Sequence, residues 1–132
     1  MDPVAVRAEI ATALRTISGL SVYEHDAAGK IPAAIVAMPD RIDYNATYAR
    51  GLTGMTDVQV VILCGRPGRH AEKLALGFAK DTAGAVVPVL QGYAWTTVDW
   101  VTVEYAEFMT VTMAKVDYLA VVFHANLAGK GA

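Results

Sequence analysis

The chain has 132 residues, of which 55% are hydrophobic and 18% are charged, and its formal net charge is -2. This length matches one domain and argues against a two-domain enzyme. The apolar composition excludes an intrinsically disordered chain, and the near-balanced charge argues against a dedicated binder of nucleic acid or anionic lipid.

Segments that would place the chain in a membrane or hold a metal are not predicted. The longest apolar runs, Ala33 to Met38 and Leu119 to Phe123, are far shorter than the roughly 18 residues of a membrane-spanning helix. Met1-Asp2-Pro3 does not begin a basic and then apolar leader, so we expect no secretory signal and a cytoplasmic location. Cys64 is the single cysteine and three histidines are scattered, so we expect no disulfide, metal or cofactor.

The first segment of the chain, up to about residue 17, has the periodicity of a helix. Asp2 is a suitable N-cap and Pro3 a suitable first helical residue, and apolar residues then recur at helical spacing until Ser18-Gly19. We predict a helix from about Pro3 to Ile17. Two short apolar runs, Leu20 to Glu24 and Ala33 to Met38, predict two strands joined by a turn over residues 26–30.

An alternating segment follows over residues 40–48. One side of this segment carries Ile42, Tyr44, Ala46 and Tyr48, and the other side is polar, which is typical of an extended strand with two different faces. Residues 50–54 contain two glycines and predict a turn, and Met55 to Cys64 predicts a returning strand. We therefore expect a long β-hairpin arm.

The second half of the chain predicts one helix and two strands. Ala71 to Ala79 has helical spacing and is expected to pack on the sheet. Ala85 to Leu90 is left unassigned, because Pro88 forbids a regular helix unless it starts there. Val98 to Tyr105 and Tyr118 to Leu127 predict two antiparallel strands, with Ala106 to Asp117 as their connection.

This order of elements predicts the fold class. It favours one α+β domain over residues 1–132, in which two main helices pack on a mostly antiparallel sheet with a long hairpin arm. The last residues, Ala128 to Ala132, are expected to be a frayed tail.

The most enzyme-like feature is Cys64. It ends an apolar strand and precedes Gly65-Arg66-Pro67-Gly68-Arg69-His70 at a helix start, where the helix dipole and basic side chains lower a thiol pKa. A phosphatase-type loop would place arginine six residues after the cysteine, where His70 stands, and the ending of a nucleotide-binding loop is missing. We expect Cys64 to be buried and structural and predict no catalytic residue.

The histidines and basic residues are weaker signals. His124 lies in an apolar strand, and we expect a structural histidine with its hydrogen bonds satisfied rather than a ligand. We expect that no acid–base pair can be assembled, and neither His25 nor His70 stands out. One local cluster is open to two interpretations, a phosphate contact or a solvated helix face; its members are Arg66, Arg69, His70 and Lys73.

Two features indicate protein contacts. The arm carries Tyr44 and Tyr48 with Arg50 and Leu52 at its tip, and Tyr and Arg dominate interface energetics. The second feature is an apolar connection where a turn should be polar, and its candidate contact residues are Phe108, Met109, Val111 and Met113. The alternative for both is ordinary sheet packing, with the connection extending the flanking strands.

The order of these patterns resembles the tail terminator proteins of long, non-contractile-tailed bacteriophages. The likeness rests on the opening helix at residues 4–10, on residues 18–23, 32–39 and 43–48, on Val58 to Gly65, and on Val116 to Leu119 with the closing strand. It covers nearly the whole chain and depends on order and spacing rather than on an invariant group. Pro88 and the apolar segment Phe108 to Met113 depart from the family pattern.

The resemblance implies a non-enzymatic virion protein. Such a protein forms a ring, typically of six copies, that caps the head-proximal end of the tail tube, stops its polymerisation and presents a surface to the neck of the capsid. Its partners would be further copies of itself, the tail tube protein and a neck or head-completion protein, with at most transient contact with DNA in the lumen. Alternatives are a neck or head-closure adaptor and a small cytosolic enzyme that uses Cys64.

Overall fold

The computed structural model describes residues 2–23, 31–44 and 52–130, with the backbone alone described at residues 52, 113 and 130. Helix α1 (Pro3–Leu14) leads into strands β1 (Ser21–Tyr23), β2 (Ala33–Val36), β3 (Arg41–Tyr44) and β4 (Leu52–Gly65). Helices α2 (Arg69–Phe78) and α3 (Val86–Gly92) precede the two final strands, β5 (Trp100–Met113) and β6 (Val116–Lys130).

The described strands form one sheet in the order β1-β2-β4-β6-β5, and β3 pairs with β4 beside β2. Only β1 and β2 pair in parallel; the other pairs are antiparallel. The three described helices bury their apolar sides against one face of this sheet. The α+β class and the mostly antiparallel sheet are therefore as predicted.

The core lies between the helices and this face, which we call the helix face. Residues of β4 and β6 point into it from the sheet, including Val60, Ile62 and Phe123. From the helix layer, Leu14 is fully buried and Leu90 nearly so. On the other face, which we call the open face, the centre of the sheet is also apolar, and its buried members are Ala33, Leu63, Ala120 and Val122.

Helix α1 begins as predicted and ends earlier. The Asp2 carboxylate accepts a hydrogen bond from the Val4 N–H, and Pro3 is the first helical residue. The helix ends at Leu14 instead of Ile17, and the Thr16 and Ile17 N–H groups donate to carbonyls three residues back. This tighter last turn leads to Gly19, whose φ of 79° favours glycine.

A third helix occupies the segment left unassigned. Helix α3 starts at Val86, so Pro88 is its third residue. The first turn of a helix has no internal partners for its N–H groups, and a proline there removes no hydrogen bond.

After α3, the Glu9 carboxylate accepts hydrogen bonds from the Thr96 and Thr97 N–H groups at 3.0–3.2 Å and from both threonine hydroxyls at 2.6 Å. These bonds attach the segment before β5 to α1.

The connection predicted over Ala106 to Asp117 is wrong. Residues up to Met113 continue β5, and β6 begins at Val116. A two-residue turn, Ala114-Lys115, joins the strands with φ values of 51° and 64°. Positive φ at both central residues is the geometry of a type I′ turn, whose twist matches that of paired strands.

The prediction of a frayed tail from Ala128 is also wrong for residues 128–130, which belong to β6. Ala128 is buried and pairs with Gly54, and its carbonyl accepts the Asp99 N–H at 2.9 Å. Residues 131 and 132 lie outside the described residues. Small residues near a chain end suggested fraying, and cross-strand pairing with β4 overrides that local signal.

Among the described residues, no helix is long and apolar enough to cross a membrane.

Candidate subunit interface

The β5–β6 hairpin projects past the rest of the sheet. The last pair between β4 and β6 joins Gly65 to Leu119, and three further pairs, Val111 to Tyr118 through Met113 to Val116, join β5 to β6 alone. At about 3.3 Å per residue the hairpin extends roughly 10 Å beyond β4. A two-stranded ribbon of this kind buries little of its own apolar surface.

Apolar side chains line both faces of this hairpin. Phe108 pairs with Val121 and therefore lies on the helix face, where it is 50% exposed. Met109 and Val111 lie on the open face, and Met109 is 38% exposed and Val111 half-buried. We call these three residues the hairpin surface. The segment singled out as an apolar connection is thus an exposed strand.

The candidate contact residues of the arm lie at the other end of the sheet. Tyr44 pairs with Thr53, which pairs with Gly129 near the end of β6. The Tyr44 side chain is 75% exposed, whereas Ile42 on the same side packs against the core. The predicted arm–strand pairing is confirmed for Arg41 to Tyr44.

Several predicted residues cannot be placed in a contact. Tyr48 and Arg50 lie outside the described residues, and so do the predicted turn at 26–30 and His25. For Leu52 and Met113 the backbone lies in β4 and β5. The described candidates therefore form two separate surfaces, the hairpin surface and the region around Tyr44.

A polar cluster on the open face was not predicted, and the expectation that no acid–base pair can be assembled is wrong for His124. The His124 imidazole contacts Asp57 through Nδ1, and its Nε2 lies 2.6 Å from Oε1 of Glu107. The Tyr105 ring stacks on the imidazole, with ring centroids 4.2 Å apart and planes 13° from parallel. We call Asp57, Tyr105, Glu107 and His124 the histidine cluster. It links β4, β6 and β5.

Two β-bulges bring these residues together. The register of β4 shifts between Met55 and Val58, where Asp57 has a φ of 55°. The register of β5 shifts between Val103 and Tyr105, which turns Tyr105 and Glu107 to the face of His124. Asn126 accepts the Asp57 N–H at 2.9 Å and donates to Glu104 at 2.5 Å, so it connects both bulges. Bulges re-aim side chains in this way.

The electrostatics of the cluster favour a charged histidine. Burial by itself lowers the pKa of His124, but hydrogen bonds to Asp57 and Glu107 outweigh it, and the pKa is raised. The hydrogen bond to His124 lowers the pKa of Asp57 despite some desolvation. Desolvation and nearby carboxylates raise the pKa of Tyr105.

This arrangement is suited to a structural role. Carboxylates on both ring nitrogens leave the imidazole without a lone pair for a proton or a metal. Every buried side-chain nitrogen and oxygen in the described residues has a hydrogen-bond partner, which confirms the expectation that the hydrogen bonds of His124 are satisfied. Within the same part of the chain, no three His, Cys, Asp or Glu side chains are grouped to hold a metal ion.

The Cys64 thiol is buried in the core. Its side chain is 2% exposed on the same face as Ile62, as predicted. Burial raises the pKa of this thiol to about 11, so it is protonated at neutral pH. The helix start that follows does not lower its pKa, because the side chain is buried in the core and desolvation outweighs any effect of the helix dipole.

The basic cluster lies on the exposed side of α2 and the preceding loop, and Arg66, Arg69, His70 and Lys73 are all exposed. His70 and Lys73, with Lys80, line a groove of about 930 Å³. The floor of this groove is apolar and includes Ile17, Leu74 and Phe78. The sequence had not indicated that the basic residues border an apolar groove.

Comparison with models of known protein families finds no match, and a search of curated proteins finds none either.

Proposed function

We propose that this chain is a structural virion protein of the tail terminator type. Copies of it form a ring, typically of six, that caps the head-proximal end of a phage tail tube and stops tube polymerisation. The opposite side of the ring joins the capsid neck, so its partners are the tail tube protein and a neck or head-completion protein. The protein belongs to the virion tail and acts without a cofactor.

The observation that carries this proposal is the hairpin surface. Phe108 and Met109 are large, exposed apolar side chains on the edge strand β5, just before the part of the hairpin that projects past β4. Exposed apolar surface of this kind marks protein contact sites. A hairpin that meets a different surface on the next copy makes a head-to-tail contact, and such contacts form a ring when the rotation from copy to copy closes.

Two further observations support the same function. The resemblance in sequence covers nearly the whole chain, and the α+β fold preserves the order of elements on which it rests. Tyr44 adds an exposed aromatic side chain at the opposite end of the sheet. A ring that stands between tube and neck needs contact residues at more than one place, and the two surfaces meet that requirement.

The test uses tail tubes assembled from the tail tube protein of the same virus. Adding the purified chain should stop tube growth, and electron microscopy should show a ring at one end of each tube. Phe108→Asp should abolish the ring, because a carboxylate cannot be buried in an apolar contact. Val4→Asp is the matched control, since Val4 is 78% exposed in the first turn of α1, where an acidic residue is favourable.

Two outcomes would contradict the proposal. One is tube growth that continues when the folded chain is present in excess. The other is a ring that binds portal complexes and ignores tube ends, which is the behaviour of a neck adaptor.

A further inference from the structure

The groove on α2, defined above, has the chemistry of a docking site for an amphipathic partner. Its apolar floor lies between α2, the residues after α1 and the segment 82–85. Its rim carries His70, Lys73 and Lys80, and none of the described residues that line it is acidic. Leu76, which also lines it, is 62% exposed. A partner that fits must therefore offer apolar side chains together with negative charge.

The hairpin carries that combination on its helix face. Phe108 is the large apolar side chain, and Asp117 lies on the same face four residue pairs closer to the turn. Of the three carboxylates between Glu104 and Tyr118, Glu107 faces His124 on the open face and Glu104 accepts a hydrogen bond from Asn126, so Asp117 is the carboxylate that the helix face offers. Its negative charge is complementary to the basic rim of the groove.

The sizes of the two surfaces also agree. Phe108 and Asp117 lie about 13 Å apart along the hairpin at 3.3 Å per residue. The groove follows α2 over residues 70–78, about 12 Å at the helical rise of 1.5 Å. Its volume of about 930 Å³ accommodates several side chains at once.

We infer that the groove on α2 receives the β5–β6 hairpin of a second copy of this chain, with Phe108 over the apolar floor and Asp117 against Lys73 and Lys80. This inference deepens the proposed ring function and rests on it. Hairpin and groove are different surfaces, so the contact is head-to-tail and each copy uses both. It also assigns a role to the basic side of α2.

Variants with one added cysteine test this directly, because the native Cys64 is buried and does not compete. Thr110 lies beside Phe108 on the helix face, so Thr110→Cys adds a thiol there and leaves the Phe108 side chain in place. Leu76→Cys adds a thiol in the groove. A mixture of the two should form a disulfide-linked dimer, and neither variant alone should. The control is Val4→Cys, which is at least as exposed as Leu76 and should not pair with Thr110→Cys. A chain with both added cysteines should give a series of disulfide-linked oligomers, the largest of which has the number of copies in the ring.

Charge reversal supplies an independent measurement. Lys73→Glu and Asp117→Lys should each weaken ring formation about tenfold, and the two together should restore it, as for a charge pair at an interface rim. Native mass spectrometry measures the rings, and tube capping is scored separately. Rings that cap tubes but never link Leu76→Cys to Thr110→Cys would overturn the inference and leave the proposed function standing. Disulfide-linked rings that do not cap tubes would support the inference and overturn the proposed function.

A competing occupant of the groove is a nucleic-acid backbone. Retention on duplex DNA that is lost with Lys73→Glu, while ring formation is unchanged, would assign the groove to phosphate and overturn the inference.

Discussion

At the scale of single residues, His124 and Asp57 of the histidine cluster make the stability of the fold depend on pH. The pKa of His124 is raised in the folded chain, so its contribution to the free energy of unfolding is complete below the ordinary histidine pKa of about 6.5. That contribution is lost as the pH rises through the raised pKa. The pKa of Asp57 is lowered, so its contribution is complete above its ordinary value and is lost as the pH falls.

We therefore expect a stability maximum on the acidic side of neutrality, followed by a decline at higher pH. His124→Gln should lower the free energy of unfolding at pH 6 by about 1 to 3 kcal/mol, because the cluster loses charge-assisted hydrogen bonds. It should also flatten the decline above pH 6.5. Urea unfolding at several pH values measures both effects. His70→Gln is the control, since His70 is exposed on α2; an equal flattening in that variant would contradict the assignment.

Cys64 is a second residue whose role is set by burial. Cys64→Ala should cost about 1 to 2 kcal/mol of stability through a small cavity, and ring formation should be unchanged. In the native chain the thiol should react with a neutral-pH alkylating reagent far more slowly than in urea, because burial raises its pKa to about 11. Fast alkylation of the folded protein would show that the thiol is accessible.

At the scale of an element, the turn of the β5–β6 hairpin holds two residues in an unfavourable conformation. Ala114 and Lys115 both have positive φ, which costs free energy in residues with a Cβ atom. Replacing them with Asn-Gly, the preferred type I′ sequence, should stabilise the chain by about 1 kcal/mol. Thermal melting measures the gain. Lys115→Ala keeps the positive φ and should give no gain; a melting temperature that falls in the Asn-Gly variant would argue against this turn geometry.

At the scale of the whole molecule, we predict that the exposed tyrosine of β3 contributes to assembly and not to folding. Tyr44 is 75% exposed, so replacing it with alanine should change the free energy of unfolding by only about 0.5 kcal/mol. Tyr48 lies outside the described residues; the alternation of the arm predicts it on the same side as Tyr44, so we expect the double alanine variant to stay folded. The same variant should fail to form rings and to cap tubes, and tails assembled with it should be overlong and headless. A melting curve and electron microscopy of tails give the two readouts. The control is Tyr93→Ala, which should lower the melting temperature, because that ring packs on Trp95 with centroids 5.0 Å apart.

If the double alanine variant formed normal rings and head-joined tails, the region around Tyr44 would not be a contact site. A large loss of stability would instead mean that the two tyrosines serve the monomer's own core.

The sequence alone determined the features that follow from local periodicity. Helical spacing located α1 and α2, alternation located β4, and an apolar strand indicated that Cys64 is buried. These patterns are local, because each residue's side of a helix or strand depends only on its neighbours in the chain. The α+β class followed from the order of such elements.

Tertiary structure decided what depends on register between distant strands. Residues 106–113 resemble a connection in isolation, and pairing with β6 makes them a strand. The histidine cluster joins residues 57, 107 and 124 through two bulges, and a bulge reverses the alternation from which a face is predicted. The groove on α2 likewise exists only where separate elements pack together. The spacing of residues within one segment does not predict which residues of three strands will be in contact, because these contacts depend on how all the strands of the sheet pair.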